Sequence, residues 1–297
     1  MKVLVIGERG QLGRALGRRP APAGAAVTRL GRDEADLARP DRLRRAVAAH
    51  APDLVVIAAA YTAVDQAEDD SRTAYAVNGR APGVLAEAAA AVGAAVLHVS
   101  TDYVFDGAPG APWREDDPVG PVNVYGASKL LGEQAVAVAN PRHAILRTSW
   151  VFDAEGPNFL RTMLRLAGER DAVSVVDDQI GRPTAAEDLA DAIWAIAPRL
   201  VSGAGPFGVL HGTNGGEPVS WAGFAERIFA LSAPRLGRTP VVRRIATADY
   251  PTRARRPLNS VLSLARLRDG FGVAPRAWEA ALDGVLAQIE AQEEKTR

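Results

Sequence analysis

The chain has 297 residues, 47% of them hydrophobic and 24% charged, with 35 basic against 35 acidic side chains. This is a globular composition without net charge, which excludes a nucleic-acid or polyanion binder working through bulk electrostatics. The absence of cysteine excludes disulfides, thiolate catalysis, zinc–thiolate sites and iron–sulfur clusters.

No apolar run approaches the roughly 20 residues of a membrane span. The amino terminus, MKVLVIGERG, carries a short apolar run that enters a Gly-rich turn at once, too short for a signal-peptide core. These features predict a cytoplasmic, soluble chain with no membrane or nucleic-acid partner, long enough for one large or two smaller cores. The basic residues are lopsided: only Lys2, Lys129 and Lys295 are lysines, and the rest are arginines. Lys129 is thus the one lysine in the body of the chain.

Short β-branched runs alternate with Ala-rich stretches through the first half, the pattern of parallel strands joined by crossover helices. The runs predict strands at Val3 to Ile6, Ala26 to Leu30, Leu54 to Ala58, Ala95 to Ser100 and Ala144 to Thr148. Helices are predicted at Gln11 to Arg19, Asp41 to Ala49, Ser71 to Ala91 and Val124 to Ala139. Beyond Trp150 come a helix near Asn158 to Ala167, a strand at Val173 to Val176, a helix at Ala185 to Ala197 and a strand at Gly208 to His211. From about Pro218, helices mix with the Pro- and Arg-rich stretch YPTRARRPLNS. The expectation is an α/β, Rossmann-type, doubly wound parallel sheet over 1–150, with a returning segment near 205–235, and a smaller mixed α/β substrate domain over 151–297.

Gly7, Gly10 and Gly13 follow the first strand directly and open a helix. That arrangement presents backbone N–H groups to a diphosphate and lets it approach closely. Where an acidic residue at the end of the second strand would favour NAD, the chain reads TRLGRDE. Arg29 and Arg32 there suit the 2′-phosphate of NADPH, with NADH as the alternative, and Asp36 and Leu37 suit the adenine edge. Tyr125 and Lys129 lie four apart on a predicted helix and share a face. A phenol with an ordinary pKa near 10 is a poor acid–base group at neutral pH, and a neighbouring ammonium is expected to lower it. Thr101, at the carboxyl end of the fourth strand, is where cofactor and substrate meet in such sheets.

GxxGxxG, STDYVFDG and YGASK together resemble the extended short-chain dehydrogenase/reductase superfamily. AAAYTAVDQAED, RTSWVF, NFLRTML, DDQIGRPT and RRPLNS narrow the resemblance to the dTDP-4-dehydrorhamnose reductase family, along nearly the whole chain. The resemblance implies hydride delivery from NAD(P)H to the C4 ketone of a dTDP-sugar, with Tyr125, Lys129 and Thr101 catalytic. It puts Gly10, Gln11 and Leu12 on the pyrophosphate, and Ala60, Tyr61 and Thr62 along the cofactor. Thr101, Asp102 and Trp150 would face the sugar. Some members bind Mg2+ at a dimer interface. Glu187 matches one ligand, but Ala15 replaces a second carboxylate, which leaves the metal and the choice between monomer and homodimer open. Arg253, Arg255, Arg256, Asn259 and Ser260 are donors suited to the substrate diphosphate, with Asn158 and Arg161 as further candidates. The rival readings are a nucleotide-sugar epimerase or dehydratase and a non-catalytic NADP-binding regulatory subunit. Tyr103, where a dehydratase's acidic pair would continue, disfavours dehydration. The intact Thr101, Tyr125 and Lys129 disfavour an idle regulator.

Overall fold

The structure, a computed structural model, describes residues 1–296. The chain runs β1 (Lys2–Ile6), α1 (Gln11–Arg18), β2 (Ala26–Leu30), α2 (Pro40–His50), β3 (Leu54–Ile57), α3 (Val64–Ala67), α4 (Ser71–Ala74), a π-helical turn (Tyr75–Arg80) and α5 (Ala81–Ala91). It continues through β4 (Ala95–Thr101), α6 (Val124–Ala139), β5 (His143–Thr148), β6 (Val151–Phe152), α7 (Phe159–Glu169), β7 (Ala172–Val176), β8 (Ile180–Gly181), β9 (Thr184–Ala185) and α8 (Ala186–Ser202). The last elements are β10 (Gly208–His211), β11 (Val219–Ser220), α9 (Trp221–Leu236), β12 (Val241–Ile245), α10 (Ala265–Phe271) and α11 (Trp278–Thr296).

Six parallel strands form the central sheet in the order β10-β5-β4-β3-β1-β2. Its inner strands are apolar on both faces because helices cover both. Val3, Val5, Leu54, Val56, Leu97 and Leu146 pack under α1, α8 and α10. The alternate residues Leu4, Ile6, Val55, Ile57, Val96 and Ile145 pack under α2, α5 and α6. From β1 the chain goes first to β2 on one side and then back to β3 on the other. The crevice between the carboxyl ends of β1 and β3 is therefore the topological switch point, where ligands bind in open α/β sheets.

A second core gathers Leu160 and Met163 of α7, Val173 and Val175 of β7, Phe224 and Ile228 of α9, and Leu282 and Val285 of α11. The chain returns to the sheet with α8, before 205, leaves it with α9, and comes back to it with α10. Residues Leu189, Ile193 and Ile196 of α8 and Leu210 of β10 belong to the sheet's core, whereas α9 belongs to the second one.

The helix expected over 71–91 is interrupted by the π turn. Pro82, at the start of α5, has no N–H to give, and a π turn at this point absorbs the change in hydrogen-bond register. Gly79 and Gly83 then lie where a Cβ would meet Leu131 and Ala135, so α6 packs close against this helix.

Candidate active site

Gly7 closes β1 with φ +115°, and a Cβ there would lie 2.7 Å from the Ala59 nitrogen. Only glycine permits this backbone and this approach of the β1 and β3 loops. Gly7, Gly10, Gln11 and Leu12 line a cleft of about 530 Å³, together with Asp36, Leu37, Ala60, Tyr61, Thr62, Tyr125 and Lys129. Gly13 is displaced from the expected set: it lets α1 pack on the Gly7 carbonyl and does not line the cleft.

Arg29 is also displaced. Alternation along β2 turns it to the α1 face, where its guanidinium covers Gly17 and donates to the Gly13 carbonyl at 3.4 Å. The arginines on the cleft wall are Arg32 and Arg9. Arg9, missed in the sequence, sits within the Gly-rich turn and pairs with Asp33 at 2.7 Å.

Asn78 is another residue that the sequence did not point to. It is buried in the π turn, where its Oδ1 accepts from the Tyr61 N–H at 2.8 Å and its Nδ2 donates to the Tyr61 carbonyl at 3.0 Å. Nδ2 also donates to Ser128 Oγ at 3.1 Å. One side chain thus ties the loop after β3 to α6. An Asn–Gly pair inside an Ala-rich helical run was its only visible signal.

Asn123 caps α6 by accepting from Gly126 N–H, and the helix then presents Tyr125 and Lys129 on one face. Burial raises the Tyr125 phenol well above its ordinary value, partly opposed by a hydrogen bond with Thr101. The expected lowering by Lys129 is not what this geometry gives. Its Nζ donates to the Val99 carbonyl at 2.7 Å, and burial pulls its own pKa down to about 8. Thr101 Oγ1 donates to Asp102 Oδ1 at 3.0 Å and accepts from the Tyr103 N–H at 3.2 Å. Asp102 is buried, and desolvation, opposed by hydrogen bonds from Ser260 and Thr101, pushes its carboxyl up to about 6. The Tyr103 ring meets Tyr125 edge-on at 5.4 Å.

Trp150 follows β5 with φ +51° and stacks on Trp221 at 3.6 Å, over the backbone of Gly181. The Asn158 side chain caps α7 by accepting from Arg161 N–H at 3.0 Å, and donates to the Asp153 carbonyl at 2.8 Å. Arg256 is likewise committed, donating to the Tyr103 hydroxyl at 3.0 Å and pairing with Asp65 of α3. Arg253 beside it pairs with Asp69.

The RmlD substrate binding domain family matches residues 1–291. The chain is 50% identical to the dTDP-4-dehydrorhamnose reductase of Burkholderia thailandensis, over 95% of this chain and 97% of that one. The chain belongs to the dTDP-4-dehydrorhamnose reductase family. The fold agrees closely with two solved members, each 34% identical to it. The first, from Clostridium acetobutylicum, has a TM-score of 0.91 over 98% of this chain and all of that one. The second, from Bacillus anthracis in complex with NADP, has a TM-score of 0.88 over 97% of this chain and 99% of that one.

The cleft is chemically suited to the nicotinamide cofactor of a dTDP-4-dehydrorhamnose reductase. Gln11, Ser100 and Thr148 line it, and each has a buried oxygen without a protein partner. Interior polar atoms are nearly always satisfied, so these three are placed for a ligand. The family's metal position fits less well. Glu187 accepts from Arg18 at 2.9 Å and from Gln288 at 2.8 Å. Among the described residues no group of three His, Cys, Asp or Glu is placed to hold a metal ion, and no helix is long and apolar enough to cross a membrane.

Proposed function

We propose that this chain reduces the C4 ketone of dTDP-4-dehydro-L-rhamnose with NADPH, giving dTDP-L-rhamnose. The observation that carries this reading is the meeting of Tyr125, Lys129 and Thr101 beside a cleft built at the sheet's switch point. Bound NADPH supplies the hydride. The protein must bind both ligands, orient them and deliver one proton to the oxygen that becomes the alcohol.

A phenol raised by burial stays protonated at neutral pH, which makes Tyr125 a proton donor in the direction of reduction. The Thr101 hydroxyl, turning its one hydrogen from Asp102 to Tyr125, stabilises the phenolate left behind. The Lys129 ammonium, on the cleft wall one turn along the helix, holds the nicotinamide ribose side. The Gly7–Leu12 turn and the start of α1 receive the pyrophosphate, with Arg9 and Arg32 at the 2′-phosphate. Trp150, held between Trp221 and the Gly181 backbone, offers its indole edge to the sugar nucleotide.

The test is loss of NADPH absorbance after addition of enzymatically generated dTDP-4-dehydrorhamnose. Tyr125→Phe should slow turnover about 10³-fold, within the range for loss of a general acid. Absence of any oxidation by the wild-type chain, with tight NADPH binding retained, overturns the reading in favour of a non-catalytic NADP-binding protein.

A further inference from the structure

Lys129 is 2% exposed, so the three hydrogens of its ammonium must find partners inside the protein or in the cleft. One goes to the Val99 carbonyl at 2.7 Å. Nζ also stands 3.4 Å from Nε2 of His98, a fully buried side chain on the α6 side of β4. An ammonium has no lone pair. At this contact Nε2 must therefore be the acceptor, which puts the ring proton on Nδ1.

His98 Nδ1 is itself buried and without a partner. An interior N–H with no acceptor weakens a fold, so stability alone does not account for this ring. Gly132, three residues after Lys129, lies in ordinary contact with the ring: a Cβ there would come 3.4 Å from His98 Nε2, although its closest neighbour would be the Asn78 carbonyl.

The charged groups nearby do not provide a free counter-ion. Glu133, on α6, is bound to Arg147 of β5 through two hydrogen bonds of 2.9 and 2.7 Å. Tyr125 on the same helix is a neutral phenol, and Asp102 beyond β4 is engaged by Thr101. Burial and the nearby ammonium hold the His98 imidazole neutral, while Glu133 only partly offsets the desolvation of Lys129. The ammonium thus rests on two neutral acceptors, one backbone and one side chain.

We propose that His98 is a positioning residue for Lys129: its imidazole and the Val99 carbonyl each accept one ammonium hydrogen, leaving the third aimed into the cleft. This rests on the reading that Lys129 holds the cofactor there. It extends that reading to the group that orients Lys129 and helps it keep its charge.

The test uses the full chain with His98→Leu, His98→Gln and Lys129→Met. NADPH affinity is followed by fluorescence without substrate between about pH 6 and 10, alongside the pH profile of kcat/KM and circular dichroism. In wild type, affinity declines as Lys129 loses its proton. His98→Leu should move that decline about one pH unit lower, so that affinity falls several-fold near pH 8 and less than about twofold near pH 6.5. His98→Gln, which restores an acceptor oxygen, should bring the profile back.

A His98→Leu profile that superimposes on wild type overturns the proposal. So does an equal loss at every pH that His98→Gln does not repair, since the ring would then only fill space. Wild-type binding by Lys129→Met would instead overturn the reading of Lys129 itself. Lost binding in Lys129→Met with an unchanged His98→Leu would overturn only the role of His98.

Discussion

At the residue scale, the site is built from groups whose burial works against the fold. Asp102 is the sharpest case, a carboxyl 2% exposed and raised to about 6 from an ordinary value near 3.8. Its folded form holds the proton more tightly than its unfolded form. Stability therefore falls as pH rises from about 4 through 6, and above 6 the full cost of the buried charge is present. At about 1.4 kcal/mol per unit, the ceiling on that cost is about 3 kcal/mol. Asp102→Asn keeps the shape and an acceptor for Thr101. It should raise the melting temperature near pH 7.5, give no gain near pH 4, and slow turnover, as removal of strain from an active site tends to do. Thermal unfolding at the two pH values, with kcat at the higher, checks this. An equal gain at both would mean that the charge is not the cause.

Arg9 makes a second residue-scale prediction. Arg9→Ala should raise the KM for NADPH about tenfold, the loss of roughly one charge-assisted hydrogen bond, and leave that for NADH unchanged. Arg29→Ala should leave the ratio of the two alone, because its guanidinium lies on the α1 face. Steady-state kinetics with both cofactors separates the two arginines.

At the element scale, the sequence was most legible where a strand or helix repeats one environment along its length. β2, β10 and α6 run over the residues predicted for them: the two edge strands are short runs bounded by glycine turns, and α6 keeps one helical face towards the sheet. The pairing of Tyr125 with Lys129 was legible for the same reason. What escaped depended on partners far away in the chain. Asn78, carried on the π turn before Pro82, reaches Tyr61 and Ser128, and the run from Ser71 to Ala91 does not announce those distant partners. Arg29 and Arg9 were confused because composition near a strand end does not say which face an arginine takes.

Asn158, expected as a further substrate contact, stands just before a helix, and its side chain is the N-cap of α7. Asn158→Ala should lower stability by about 1 kcal/mol. The KM for the nucleotide sugar should stay the same. Denaturant unfolding together with initial rates tests this: a several-fold rise in KM at unchanged stability would restore Asn158 to the substrate site.

At the scale of the whole molecule, the two cores are joined across the cleft by the arginine-rich stretch after Tyr250. Arg253 pairs with Asp69, Arg256 with Asp65 and the Tyr103 hydroxyl, and the Ala254 N–H donates to Asp65 Oδ1 at 3.1 Å. Asn123, the cap of α6, donates to the Arg255 carbonyl at 2.8 Å. The strap thereby seats on α3, directly after the loop that lines the cofactor cleft, and reaches the ring that packs against Tyr125. Its ion pairs are partly exposed, Asp65 by 41% and Arg253 by 68%, so they contribute little to stability, on the order of 1 kcal/mol or less. Their larger effect is on geometry. Arg256→Gln should hardly change the melting temperature but raise the KM for the nucleotide sugar several-fold more than that for NADPH. Asp65→Asn should do the same, and the double variant should be little worse than either, because both break one link. Salt supplies the control. Raising ionic strength should weaken nucleotide-sugar binding in the wild type more than in the double variant, since the Debye length shrinks from about 10 Å at 0.1 M to about 3 Å at 1 M. Strictly additive effects in the double variant would mean that Arg256 acts directly on the substrate rather than through the strap.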